Sequence, residues 1–150
     1  EEGHPRFFRR TTPFTFDQKD IASEAEAFVA MIEGAVSGYG LDRDKMVFVG
    51  YSNGANMLIA TMLLHPGLIR KAALLRMMNP LETVPEVNLS GTEILLVTGK
   101  TDGYSRYATP LEGVLRDAGA TLATVTLDAG HEIGPMDADA VRDWLKTIGG

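Results

Sequence analysis

The stretch Val47-Phe-Val-Gly-Tyr-Ser-Asn-Gly-Ala-Asn56 decides the reading of this chain. It begins apolar, as a buried strand does, and ends in small residues that open a helical pattern through Met57, Leu58 and Met62. Between the two, Gly50-Tyr51-Ser52-Asn53-Gly54 sets a serine on a strand-to-helix turn with a glycine two residues to either side. So tight a turn strains its central residue and raises the hydroxyl above the sheet. The glycines remove Cβ atoms that would meet neighbouring backbone. The helix beyond offers unpaired N–H groups and the positive end of its dipole. Ser52 is therefore the candidate nucleophile, and the Asn53 backbone N–H a candidate donor to a developing oxyanion. The competing reading is a glycine-rich turn in which Ser52 only caps the helix.

Working outward, Asp17 to Ser37 reads as a helix, with Asp17 as N-cap, apolar residues at Ile21, Ala25, Phe28, Ile32 and Val36, and Gly38 and Gly40 ending the run. Lys45 to Val49 reads as a strand buried on both faces, and Asn53 to Leu64 as a helix stopped by His65-Pro66-Gly67. Further strands are expected at Ala72 to Leu75, Glu93 to Thr98 and Ala120 to Leu127. Further helices are expected at Pro110 to Asp117, with a start as early as Ser105, and at Asp137 to Thr147, with Val141, Trp144 and Leu145 inward. Alternation of this kind predicts the α/β class: a three-layer α/β/α sandwich with a mostly parallel sheet. Asn79 to Ser90 has two prolines and no helical pattern, and reads as a rim or substrate loop.

The composition sets outer limits. The 150 residues are 45% apolar and 23% charged, with a net charge of -6, the balance of one globular domain. The charges are mixed along the chain, which gives no footprint for nucleic acid. Arg6, Arg9 and Arg10 alternate with Phe7 and Phe8. They read as a solvated loop with its aromatics in the core, the other reading being a loop beside substrate or an anion. Without cysteine there is no disulfide and no thiolate chemistry, and no metal site is expected. No apolar run approaches a membrane span and no signal peptide opens the chain, so no membrane partner is expected and cytoplasm is the default location.

A serine needs a base to take its proton, and the base needs a third group to orient it. In α/β-hydrolases the chain order is serine, acid, histidine. Of the three histidines, His4 precedes the serine and His65 ends the helix after it. His131 follows the last strand in Asp128-Ala-Gly-His-Glu-Ile133, and Gly130 lets its ring reach back over the sheet. Asp102, in Gly99-Lys-Thr-Asp-Gly103, follows the preceding strand at the end where such sheets place ligands. An ordinary Asp-Gly turn is the alternative for Asp102 and an exposed loop residue for His131. Asp128 is the backup acid, and Glu132 reads as solvated. Tyr51, Asn56, Met77 and Met78 are candidate substrate-binding residues that packing explains equally well.

These residues resemble the phospholipase/carboxylesterase branch of the α/β-hydrolases, which includes dienelactone-hydrolase-like members. The resemblance rests on Pro5-Arg-Phe-Phe-Arg-Arg10, Gly50-Tyr-Ser-Asn-Gly-Ala-Asn56, Leu75-Arg-Met-Met-Asn-Pro80, Gly99-Lys-Thr-Asp102 and Gly130-His131-Glu132, in family order over nearly the whole chain. It implies hydrolysis of small or medium carboxylic esters without a cofactor, with Ser52 as nucleophile, His131 as base and Asp102 as orienting acid. A thioesterase or lysophospholipase is the rival within the fold, and a noncatalytic interaction module the rival outside it.

Family members carry several strands ahead of the Pro-Arg-Phe-Phe region, with a His-Gly loop that supplies a second oxyanion donor. The expectation is a single α/β-hydrolase domain over residues 1–150 that is N-terminally incomplete, corresponding to the C-terminal part of the fold. A missing N-terminal segment, or another copy in a homo-oligomer, would complete it, and Met46 to Val49 would form a sheet edge.

Overall fold

Strand residues alternate between two faces, and in this chain each face has its own helices. A computed structural model describes residues 7–12 and 15–148. Its main sheet has four strands in the order β3 (Phe48–Tyr51), β4 (Lys71–Leu75), β5 (Glu93–Gly99) and β6 (Thr121–Leu127), every pairing parallel. Ala72, Leu74, Ile94 and Leu96 point to one face. There they pack with Ile32 of α1 (Gln18–Tyr39), with Leu58, Ile59, Met62 and Leu63 of α2 (Asn53–Leu64), and with Leu111 and Leu115 of α3 (Ala108–Asp117). Ala73, Leu75, Leu95 and Val97 point to the other face and meet Trp144 of α4 (Pro135–Ile148). This is the expected α/β/α sandwich, and its core is the inner strands β4 and β5.

Most elements lie where the pattern placed them, with informative differences. The first helix runs two residues further than expected, because Gly40 takes the left-handed conformation (φ 63°) that closes it. Asp17 caps its start by accepting from the Lys19 and Asp20 N–H groups. The strand expected over Lys45 to Val49 begins only at Phe48 and runs to Tyr51. Asp42 accepts from the Asp44 N–H and winds Arg43–Lys45 into a 3-10 turn, which removes Lys45 from the sheet. The strand is also not buried on both faces. It stands at one end of the sheet formed by the described residues, and Val49 is 59% exposed. In α4, Trp144 faces inward as expected, whereas Leu145 is exposed.

The segment 79–90 has no regular structure, but it is a packing segment. Leu89 is buried, Leu81, Val84 and Val87 lie against the core, and Gln18 donates to the Pro80 carbonyl and accepts from the Glu82 N–H. A two-stranded hairpin that the pattern did not signal joins β1 (Arg10–Thr12) to β2 (Thr15–Phe16). Phe8 is buried edge-to-face against Phe16, while Phe7 and Arg9 are exposed, so only one of the two paired aromatics is tucked in. Arg6 and His4 lie outside the described residues. No described helix is long and apolar enough to cross a membrane.

Candidate active site

The turn after β3 is forced by its own residues. Ser52 sits at φ 51°, ψ -115°, a left-handed conformation unfavourable to a residue with a Cβ. Its N–H donates to the Leu75 carbonyl, which continues the sheet to the start of α2. A Cβ at Gly50 would stand 2.7 Å from the Ala55 N and Cα atoms, so the helix can leave the strand at this angle only over a glycine. Gly54 differs. Its Cβ would meet only Phe7, at 3.7 Å, so the described residues give no steric reason for the second glycine of the motif. Ser52 occupies the N-cap position but makes no capping hydrogen bond with its side chain. Its Oγ is free for other partners.

That hydroxyl meets His131. The Oγ lies 3.1 Å from Nε2, and on the other side of the ring Nδ1 lies 3.1 Å from Asp102 Oδ2. An ionised carboxylate only accepts, so Nδ1–H donates to it, which leaves Nε2 to accept from the serine O–H. The Asp102 carboxyl is buried and fixed by a second bond, accepting from the Tyr104 N–H at 3.0 Å. His131 stays about one-third exposed. The sequence expectation placed these three side chains at separate strand ends, and the fold brings them into one hydrogen-bonded row. Asp128 is exposed and takes no part, and His65 closes α2.

The sheet explains how residues so far apart converge. Beyond β5 the Lys100 N–H bonds the Leu127 carbonyl, and the Thr101 N–H bonds the Ala129 carbonyl. The chain leaving β5 thus runs beside the chain leaving β6, and Asp102 is delivered next to His131. Gly99 permits this approach. A Cβ there would overlap the Gly130 carbonyl oxygen and stand 2.6 Å from that of Ala129.

The remaining candidates have definite places. As first residue of α2, Asn53 has a backbone N–H with no intrahelical acceptor, directly beside Ser52. Its carboxamide is buried with no partner among the described residues. Tyr51 is half-buried, its ring 5.5 Å from the His131 ring and its hydroxyl donating to the His131 carbonyl at 3.2 Å. Burial first, and then the Glu132 charge, hold the Tyr51 phenol above its ordinary pKa. Asn56 is buried and accepts from the Met78 N–H, while Met77 and Met78 are core residues. Packing and hydrogen bonding account for all three.

Three residues near the site were given no role by the sequence, although Arg76 lies within the Leu75–Pro80 stretch. Tyr104 places its ring 5.2 Å from the His131 ring. Arg76 and Asp137 form a bidentate ion pair, at 2.8 and 3.2 Å, with side chains almost wholly buried. An arginine closing the apolar run Ala72-Ala-Leu-Leu75 was the available signal, because a charge there must be answered from elsewhere in the chain.

No protein-family model matches the chain. Over 97% of its length it is similar to a carboxylesterase from Mesorhizobium loti, with 41% identity, a TM-score of 0.95 and 70% of that chain covered. The chain belongs to the carboxylesterase family of the α/β-hydrolase fold. A carboxylesterase from Bacillus cereus superposes with a TM-score of 0.93 at 27% identity, over 99% of this chain and 71% of that one. MhqD of Bacillus subtilis (strain 168), which carries the name of a hydrolase, is 29% identical over 148 residues, 97% of this chain and 74% of its own length. This member of the family is accordingly a hydrolase, and the two solved relatives carry the name carboxylesterase.

Proposed function

We propose that the chain hydrolyses small or medium carboxylic esters through an acyl-serine intermediate, with Ser52 as nucleophile, His131 as general base and acid, and Asp102 as the group that orients the imidazole. The observation that carries this reading is the row Ser52 Oγ–His131 Nε2–Asp102 Oδ2, with 3.1 Å at each link.

In the first half-reaction Oγ attacks the ester carbonyl carbon while its proton passes to Nε2. Negative charge gathers on the carbonyl oxygen, and the Asn53 N–H at the positive end of α2 donates to it. Collapse of the tetrahedral adduct breaks the bond to the alcohol oxygen, which takes the proton from Nε2 and departs. Water then attacks the acyl-serine ester, giving its proton to Nε2, and the acid is released as Oγ is reprotonated. Asp102 stays ionised throughout, holding Nδ1–H and stabilising the transient imidazolium. The one-third exposed His131, with the Tyr51 and Tyr104 rings beside it, suits an open, partly aromatic site for small esters.

Turnover of p-nitrophenyl acetate and labelling of Ser52 by a fluorophosphonate test the proposal. Ser52→Ala is expected to abolish labelling and to lower kcat by about 10⁴-fold or more. Turnover that survives the substitution would remove Ser52 from the mechanism.

A further inference from the structure

Charged side chains are rarely buried without a purpose that repays desolvation, and Arg76 is buried completely. It also holds an unusual backbone, φ 53°, which a non-glycine residue keeps only where its surroundings fix it. One edge of its guanidinium takes the Asp137 carboxylate. The other faces the histidine loop: Nε donates to the Gly130 carbonyl at 2.8 Å, and Nη2 reaches the Glu132 carbonyl at 3.4 Å. Those two carbonyls flank His131. Tyr51 donates to the carbonyl between them, and the Thr101 N–H and Oγ1 both donate to the one before, at 3.1 Å. Four consecutive carbonyls, 129 to 132, are therefore answered by residues from three strand ends. Asp137 extends the lock into α4 by accepting from the Gly134 N–H at 2.9 Å.

We infer that Arg76, held by Asp137, is a positioning residue for His131: its planar fork fixes the carbonyls on both sides of the histidine and so sets the imidazole at hydrogen-bond distance from Ser52. The inference rests on the proposed role of His131 as base. Residues 129–132 have no regular structure of their own, so the ring is only as well placed as these bonds make it. Misplacement by about 1 Å is enough to lower a rate about 10²-fold. Arginine suits the task because one rigid plane serves a carboxylate and two carbonyls at once, which a lysine ammonium cannot do.

The test compares the parent chain with Arg76→Lys and Arg76→Gly, rates being referred to active sites titrated with a fluorophosphonate. Arg76→Lys is expected to lower kcat about 10²-fold with KM within about threefold. Glycine accepts the φ at this position and leaves space for the lost group, so millimolar guanidinium is expected to restore kcat in Arg76→Gly where ammonium does not. For folding independent of an orphaned charge, Arg76→Met/Asp137→Asn removes both charges and keeps an acceptor for the Gly134 N–H, and the same loss of kcat is expected. A second readout needs no turnover: the His131 Nδ1–H proton resonance is expected to be sharp and protected from exchange in the parent and to broaden in Arg76→Lys. Parent-like kcat and an unchanged resonance in a folded variant would show that the pair only stabilises the fold. Ser52→Ala and His131→Gln, run alongside, separate the failures. If they keep turnover, the triad reading falls; if they are inactive while the Arg76 variants match the parent, only the positioning role falls.

Discussion

The serine turn and the histidine loop supply the two ends of one 3.1 Å hydrogen bond, yet they are built in opposite ways. The turn is local. A strand, a glycine under the helix backbone, a residue at φ 51° and a helix N-terminus all fall within a few consecutive positions. The loop has no such internal logic. Its carbonyls are bonded by Thr101, 28 positions away, by Arg76, at 54 and 56, and by Tyr51, at 80. The serine is placed by what its neighbours in sequence cannot do, and the histidine by what distant residues hold. Damage to the two regions should therefore register differently, the turn through the fold and the loop through the rate.

The largest effect is expected at Gly50. Its new Cβ in Gly50→Ala would press on backbone atoms of α2, which pack into the core and cannot retreat as a side-chain tip would. Overpacking of this kind lowers stability by about 1–3 kcal/mol or more, and it displaces Ser52 at the same time. Thermal unfolding and p-nitrophenyl acetate turnover should both fall. A parent-like melting temperature would show that the turn relaxes more easily than its geometry implies.

Gly99→Ala should separate the two quantities. Its Cβ also meets backbone, the Ala129 and Gly130 carbonyl oxygens, but that backbone is loop held by side-chain hydrogen bonds rather than helix packed into the core. The expected result is a fall in kcat of about 10²-fold with a smaller loss of stability than at Gly50, since the loop carries His131 away from Ser52. Equal damage to stability at both glycines would erase the contrast between turn and loop.

The same contrast explains what could be read in the sequence. The layered fold was legible because strands β4, β5 and β6 are declared by their apolar or alternating runs, α1 by its periodicity and caps, and α2 by its apolar run and the stop at His65-Pro66-Gly67. The serine was legible because its constraint is contiguous. Asp102 and His131 could be picked out only through their order along the chain, since neither lies in a stretch that dictates its conformation. The pairing of Arg76 with Asp137 was not legible. Nothing local to Leu75-Arg-Met or to Pro135-Met-Asp says that they meet 61 residues apart. The false start of β3 at Lys45 has a related cause: an Asp42 cap outweighed the apolar run that followed it.

A smaller effect is expected from Tyr51→Phe, which removes one of the four carbonyl restraints and leaves the ring in place. A severalfold fall in kcat is the expected outcome, well short of that for Arg76→Lys. Its pH dependence is fixed by the raised pKa of the phenol. The neutral hydroxyl donates below its ordinary value of about 10 and is lost only as pH rises through the higher folded value. The gap between parent and variant should therefore be constant across neutral pH. A gap that changes between about pH 6 and 8 would assign the effect to some other group.

The smallest effect belongs to Gly54, the motif glycine that the geometry does not require. It lies in the first turn of α2 with only the Phe7 ring near its missing Cβ, at an ordinary contact distance of 3.7 Å. Alanine favours a helix over glycine by up to about 1 kcal/mol. Gly54→Ala should consequently melt at or slightly above the parent temperature and keep kcat within about twofold. The two glycines bracketing one serine would then differ in their tolerance of a single methyl group, one facing helix backbone and the other only the Phe7 ring. A marked loss of kcat at unchanged stability would instead mean that the approaching ester, rather than the fold, needs the space beside Gly54.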